Sequence, residues 1–442
     1  MSMPCVILAT LHNDHFDDHP NPSALMPLLG TPLVERTLRT AMHAGLKDFH
    51  IVTREKDQKV RPYLDHFASK HNIKITHVIS DLPDKQTGKE LLLVKLKDNK
   101  PFILLSIDYL FTANTIKKVM KTKLQKDILA IAIDRDTIHK KLDLVGVTRV
   151  NTVKNRVVAL NPGLKEFDSF DTGVYLCQHT FLAQLAKQHK TRKNTQLIDA
   201  IHVFIKQDKV VAVDIGSNFW SHVDSSESLE RTEQEVIKNL KSQDTDGPVM
   251  KHIARPASGL LTRILMHTPL SVKLLSFLTP ILALLAAYFF SFSQYSGLFF
   301  GSLVAILCSV LCVCTSEIAE LKYERSPFID WFNTVTGKYT ELFLLVGLTI
   351  HVVHIHDSTN VLLIGLLAII GTLMFHFSYD QFQQLTHKIP PQEQDMQLKP
   401  EVRFLLIIIG ALVNLPLFTL LIFGILLNAI VIRRLFAWKA TD

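Results

Sequence analysis

Cysteine is scarce. Five occur in 442 residues, Cys5, Cys177, Cys308, Cys312 and Cys314, and none forms a Cys-x-x-Cys pair. A disulfide framework and a structural zinc site are excluded, and reduced or buried thiols are expected. Glycine is missing where a phosphate loop would use it. The stretch Ala9 to His19, after the first predicted strand, has none and carries Asp14, Asp17 and Asp18. Backbone N–H groups approach phosphates through glycines, and three aspartates repel a triphosphate. A basic leader is also lacking: MSMPCVILATLHNDHF has only a short apolar stretch, so no secretory signal is expected. Lys and Arg are scattered without interleaved aromatics, so no nucleic-acid partner is expected. Repeats and low-complexity tracts are absent.

Charge is present but unevenly spread. The chain carries 48 Lys and Arg against 41 Asp and Glu, a net +7, with a mean hydropathy of +0.20. Residues 1–269 hold 68 of the 89 charges and a net +8, whereas residues 270–442 hold 21 and a net −1. A polar, basic half precedes an apolar one, which excludes a disordered chain and a purely soluble one.

The apolar half contains runs at Leu274–Phe292, Leu298–Thr315, Leu342–Val353 (extended back to Tyr339), Val361–Phe377 and Phe404–Ile432. About 20 apolar residues cross the hydrocarbon of a bilayer, so the last run is too long for one untilted helix. Asn414-Leu415-Pro416 interrupts it and predicts a hairpin. Arg255, Arg263, Lys273, Lys322, Arg325, Lys338, Lys388, Lys399, Arg403, Arg433, Arg434 and Lys439 all fall on one side if the hairpin is real. The positive-inside rule then predicts an integral membrane protein with six spans and cytosolic N- and C-termini. His351, His354 and His356 lie at a predicted outer edge and read as interfacial polar residues rather than metal ligands. Cys312 and Cys314 read as core.

The polar half alternates strands and helices. Strands are predicted at Pro4–Thr10, Phe49–Thr53, Ile73–Ile79, Phe102–Ile107, Ile128–Asp134, Val157–Leu160 and Thr172–Cys177. Helices are predicted at Leu33–Ala44, Val60–His71 and Glu227–Lys241, the last started by Ser225 or Ser226. This pattern predicts an α/β domain with a parallel sheet, helices on both faces and a ligand site at strand ends. The linker is expected at Ser242–Pro248. Asp108 ends an apolar strand, and a lone carboxylate there suits a Mg²⁺–nucleotide site as well as it suits an ordinary strand end. Asp224, before the closing helix, is a second metal candidate or a helix cap.

These residues resemble a known fusion. The stretches VILAT, SALMPLLGTPLVERTL, LLSIDYLF, FDTGVYLC and FWSHVD make residues 4–230 similar to a sugar-phosphate nucleotidyltransferase domain. DGPVMKHIARPASGLLTRIL and EIAELKYERSPFIDWFNTV make residues 248–438 similar to a CDP-alcohol phosphatidyltransferase membrane domain. Their order resembles the bifunctional inositol-1-phosphate cytidylyltransferase/di-myo-inositol-phosphate phosphate synthase family. The resemblance implies an α/β Rossmann-like nucleotidyltransferase-type domain followed by an all-α six-helix transmembrane domain. The boundaries expected are 1–241, a linker and juxtamembrane segment 242–269, and 270–438.

The resemblance also shows what has changed. The membrane family's D-x2-D-G-x2-A-R-x8-G-x3-D-x3-D signature implies four aspartates that hold divalent metal beside the CDP pyrophosphate, the last serving as base. Here those positions are Cys312, Thr315, Asn333 and Gly337. The signature arginine is Glu320 and its glycines are Ser316 and Ile329, while Ala319 is kept. Asp330 and Glu341 are nearby but do not occupy the aspartate positions. Cys and Thr are far poorer Mg²⁺ ligands than carboxylates. In the nucleotidyltransferase part the glycine-rich loop is lost and the Pro-Lys position is Pro22-Ser23, but the two metal aspartates match Asp108 and Asp224.

The expectation is a membrane pseudoenzyme with a binding or regulatory role in phospholipid or inositol-phosphate metabolism. The alternative is an active transferase that makes a CDP-activated polyol or moves a phospho-alcohol group from a CDP-alcohol to a hydroxyl. Expected partners are the lipid bilayer, CTP or a CDP-alcohol, and a second copy in a homodimer. The expected cofactor is Mg²⁺ at the cytosolic domain.

Overall fold

A computed structural model of the chain describes residues 3–10, 22–82, 87–96, 100–124, 126–136, 146–191, 196–241, 250–268, 270–386 and 398–438. The loop Leu11–His19 and the linker Ser242–Pro248 lie outside the described residues. The chain divides into two compact units, Met1–Val236 and Ile237–Asp442.

The first unit is built on a mixed sheet of nine strands among the described residues. Their order is Lys74–Ser80, Asp48–Arg54, Pro4–Leu8, Phe102–Ser106, Ser169–Cys177, Leu129–Asp134, Val210–Asp214, Arg156–Asn161 and Arg149–Val153. The first four run parallel. Ser169–Cys177 then enters antiparallel to both neighbours, so the expected all-parallel sheet is corrected here. The reason is physical. All nine of its residues are buried, and a strand covered on both faces reads as one apolar run whichever way it points.

Alternation along Pro4–Leu8 sends Cys5 and Ile7 into one core and Val6 and Leu8 into the other. Helices α1 (Leu33–His43), α2 (Val60–His71) and α4 (Ala113–Met120) cover the first face, through Leu38, Leu64 and Ile116. Helices α3 (Thr87–Leu91), α5 (Thr180–Thr191) and α6 (Leu197–Lys206) cover the second, through Leu91, Phe181 and Phe204. Each fully buried Leu or Phe contributes about 1.5–3 kcal/mol. Helix α7 (Ser226–Lys241) follows, and Ser225 starts it by accepting the Ser228 N–H on its side-chain oxygen.

The second unit is helical: α8 (Arg255–Met266), α9 (Val272–Phe290), α10 (Tyr295–Leu321), α11 (Pro327–His356), α12 (Thr359–Thr386), α13 (Pro400–Leu412) and α14 (Pro416–Trp438). Large apolar side chains cover its surface as well as its core. On α9 the large residues Leu274, Phe277, Ile281, Leu284 and Tyr288 face outward, while Thr279, Ala283 and Ala286 face inward. Small residues inside and large apolar ones outside suit helices that pack together in lipid. Among the described residues five helices, α9, α10, α11, α12 and α14, are long and apolar enough to cross a membrane.

The 404–432 run divides at Asn414, which adopts a left-handed φ of +58°. The chain turns back there, because a Cβ on Gly410 would overlap the Thr419 hydroxyl. A continuous helix would hold those two residues about 13 Å apart. Helix α13 has 13 residues, fewer than the roughly 20 that span hydrocarbon unaided. His351 is buried and donates to the Phe292 carbonyl in the turn between α9 and α10. His354 faces the Ser291 carbonyl at 3.1 Å.

Candidate functional site

A two-stranded ribbon assembles the site of the first unit. Trp220–His222 pairs antiparallel with Tyr109–Phe111, His222 opposite Tyr109. Asp108 therefore ends one arm as Val223 and Asp224 leave the other, and the Val223 N–H donates to the Asp108 carbonyl at 2.7 Å. Trp220 anchors the ribbon to the sheet, its indole N–H donating to Asp134 Oδ2 at 2.6 Å. Local sequence explains the fit. Gly173, in FDTGVYLC, has φ +73°, and a Cβ there would lie 2.5 Å from the Tyr109 ring. Only glycine lets the buried strand and Tyr109 approach so closely.

The structure brings the two sequence-predicted carboxylates to one place, with a third residue between them. His222 Nε2 lies 3.6 Å from Asp108 Oδ2 and its Nδ1 lies 3.8 Å from Asp224 Oδ2. The Tyr109 ring packs on the imidazole at 4.6 Å between centroids. Asp224 does not cap α7, since Ser225 does; its backbone N–H is held by Ser228 Oγ at 2.9 Å and its carboxylate turns inward. There Asp224 Oδ2 sits 2.7 Å from the point a Cβ on Gly146 would occupy. Asp108 Oδ1 is buried without a hydrogen-bond partner. An orphaned carboxylate oxygen beside a second carboxylate suits a bound cation, so the donors present fit a divalent metal. Among the described residues no group of three or more His, Cys, Asp or Glu is placed to hold a metal by itself, so phosphate oxygens or water would have to complete the shell.

Asp171 adds to this electrostatic cluster. Burial pushes its carboxyl up to about 6, against the lowering effect of hydrogen bonds from Tyr175 and the Gly173 N–H, and the nearby Asp108 charge pushes the same way as burial. His222, Asp171, Gly146 and Gly173 were not singled out from the sequence. His222 stood inside the quoted FWSHVD, but only the ribbon register turns its ring between the two carboxylates.

The second unit places its signature positions differently. Ser316, Glu320 and Asn333 line a cavity of about 180 Å³ together with Arg255, Arg325 and Asp330. Thr315 is buried and donates its hydroxyl to the Leu311 carbonyl at 2.8 Å. Cys312 is half-buried, and a Cβ on Gly337 would meet nothing within 4 Å. The carboxylate of Glu317 accepts from Arg255 Nη1 at 2.9 Å, Ser258 Oγ at 2.9 Å and Thr262 Oγ1 at 2.6 Å. Glu341 is likewise held, by Arg403 and His376. Asp330 pairs with Arg325 at 3.1 Å. These donors do not fit a divalent metal clasped by four carboxylates. The positions carry no carboxylate, and Glu317, Glu341 and Asp330 are engaged by cations and hydroxyls of the chain itself.

Fold and site together define a two-part protein: an α/β unit with a paired-carboxylate site, and a helical unit with membrane-crossing helices. The chain is similar over both parts to the bifunctional IPC transferase and DIPP synthases. It is 24% identical to that of Rubrobacter xylanophilus over 435 residues, covering 98% of this chain and 96% of that protein. With that of Aquifex aeolicus it shares 22% over 366 residues, 82% of this chain and 79% of the relative. With that of Thermococcus kodakarensis it shares 22% over 367 residues, 82% and 79%. No family model matches the chain. Among solved structures, an inositol-1-phosphate CTP transferase from T. maritima aligns with 55% of this chain and 98% of its own, at TM-score 0.47 and 17% identity. An apo UDP-glucose pyrophosphorylase aligns with 54% and 100%, at TM-score 0.44 and 17% identity.

Proposed function

We propose that this chain is a membrane pseudoenzyme of the IPC transferase and DIPP synthase type. Its helical unit binds and does not transfer, acting as a partner or regulator of active enzymes of phospholipid or inositol-phosphate metabolism. One observation carries the reading. Where the resemblance implies four metal-holding aspartates, the chain has Cys312, Thr315, Asn333 and Gly337, and the neighbouring Glu317 is saturated by Arg255, Ser258 and Thr262. Without metal, a diphosphate lacks charge neutralisation, and without the fourth aspartate an acceptor hydroxyl lacks its base. The exposed Glu320 adds repulsion where the signature has arginine. Six spans, with both termini cytosolic, place every basic flank on one side, α13 completing the sixth with its neighbours. A homodimer within the bilayer is part of the same proposal.

A second reading is favoured by the first unit's site. Asp108, with its orphaned oxygen, and Asp224 would hold Mg²⁺, which would neutralise the phosphates of CTP. The unit would then still form a CDP-activated polyol. Calorimetric titration of the detergent-solubilised chain with CTP and CDP-inositol, with and without Mg²⁺, separates the two. Mg²⁺-strengthened CTP binding that Asp108→Asn abolishes supports the second reading. Its absence from a folded sample supports the pseudoenzyme.

A further inference from the structure

Helix α8 has 12 residues and a length of about 18 Å, against roughly 30 Å of hydrocarbon in a bilayer, so it does not cross one. Its two faces are nonetheless sharply sorted. Ser258, Gly259, Thr262 and Met266 are buried. Ser258 Oγ and Thr262 Oγ1 donate to Glu317 of α10, and the Cys314 thiol of α10 donates to the Ser258 carbonyl at 3.4 Å. The opposite face is aliphatic and open. Leu260 is 70% exposed and Ile264 56%, and Ile253, in the turn that leads into the helix, is 56% exposed. Intervals of seven and four put the three on one stripe, with the exposed Pro256 and Ala257 beside them. A helix on a water-facing surface is built the other way, aliphatic side inward and polar side out.

The neighbours of α8 say what covers this stripe. Glu317 stands four residues before α10 ends at Leu321. The chain turns basic there, with Lys322 and Arg325, and Lys322 Nζ donates to the Leu270 carbonyl just past α8 at 3.1 Å. At Val272 the chain enters α9, whose Leu274, Phe277 and Ile281 face outward. The stripe therefore lies at the basic-flanked end of two membrane-crossing helices and leads along the chain into the outward apolar face of α9. Aliphatic side chains at that depth leave water where headgroups meet acyl chains.

We propose that α8 lies along the bilayer surface, with Ile253, Leu260 and Ile264 inserted at the headgroup–acyl boundary and its polar face clipped to α10 through Glu317. Interfacial helices of this kind sink about 5–10 Å. The partner is lipid rather than protein. Glu317 is the clip that turns the aliphatic side outward, because it satisfies the inward hydroxyls of Ser258 and Thr262. The proposal adds a surface-bound helix to the membrane-crossing ones and holds whether or not either site turns anything over.

The test uses the full, unaltered chain in phosphatidylcholine and phosphatidylglycerol nanodiscs that contain a photoactivatable diazirine lipid, with adducts mapped by peptide mass spectrometry. One probe carries the diazirine near the glycerol and a second carries it at the acyl end. The glycerol-proximal probe is expected to label the segment from Ile253 to Ile264. The acyl-end probe is expected to spare that segment and to label the middle of α9, around Ile281. The double variant Leu260→Asn with Ile264→Asn should lose the α8 adducts and keep those on α9, with thermal unfolding to confirm folding. Labelling of α9 without labelling of α8 by either probe overturns the proposal. A water-soluble diazirine then tells an open face, which it labels, from one covered by a second copy, which it does not. Labelling of α8 by the acyl-end probe as strongly as α9 overturns the surface placement. None of these readouts involves CTP binding or CMP release, so the proposal and the pseudoenzyme reading can fail separately.

Discussion

Arg403 clasps Glu341 with two hydrogen bonds, Nε to Oε1 at 2.6 Å and Nη2 to Oε2 at 3.0 Å, across 62 residues of chain. Both side chains are buried, and the pair joins α13 to α11. Removing one partner of a buried ion pair costs about 3–5 kcal/mol. Glu341→Gln should lower the unfolding temperature of the detergent-solubilised chain. Arg403→Lys should not spare it, because an ammonium lacks the fork that meets both oxygens. Thermal unfolding of the two variants checks this, and a wild-type Tm for either contradicts it.

Gly173→Ala is expected to damage both fold and site. The new Cβ would lie 2.5 Å from the Tyr109 ring at a backbone φ of +73°. Overpacking and positive φ together should cost at least about 2 kcal/mol. Tyr109 also packs on the His222 ring. Denaturant unfolding of variant and wild type checks this, and unchanged stability contradicts it.

Asp171 makes stability depend on pH with a definite sign. Its carboxyl is raised from 3.8 to about 6, chiefly by burial. Between those values the unfolded chain releases the proton and the folded chain keeps it. Stability from this group therefore falls as pH rises through that window and stays lower above it. Asp171→Asn should gain about 1–3 kcal/mol above pH 6 and nothing below pH 4. Denaturant unfolding of mutant and wild type at pH 4, 5 and 7 checks the trend.

Much of this architecture is legible in the sequence, for identifiable reasons. The helix Val60–His71 coincides with its expected bounds because Asn72, in the left-handed conformation, stops it. The break at Asn414 was marked by Pro416. Strand direction was not legible at Ser169–Cys177, where burial on both faces removes any directional pattern. The short strand Trp220–His222 was also missed, being three residues long and defined only by its partner. At the site, Asp108 and Asp224 were visible as carboxylates flanking apolar segments. His222 was not, because its role depends on ribbon register, and Gly173 was not, because its need follows from a contact with Tyr109.

Glu317→Ala tests whether the helical unit's acid is structural. It would leave the half-buried Arg255 without that carboxylate and Thr262 without its acceptor, while Ser258 keeps the Arg255 carbonyl. A loss of about 3 kcal/mol is expected. The double variant Glu317→Ala with Arg255→Met should recover part of it, as read by thermal unfolding.

The proposed pseudoenzyme has a helical unit that does not transfer phospho-alcohol groups. Release of CMP from labelled CDP-inositol by the purified chain in lipid nanodiscs, with phospho-alcohol acceptors and either Mg²⁺ or Mn²⁺, measures it directly. Release no faster than from protein-free nanodiscs is expected at every metal concentration. Metal-dependent CMP release that rises with protein concentration would contradict it.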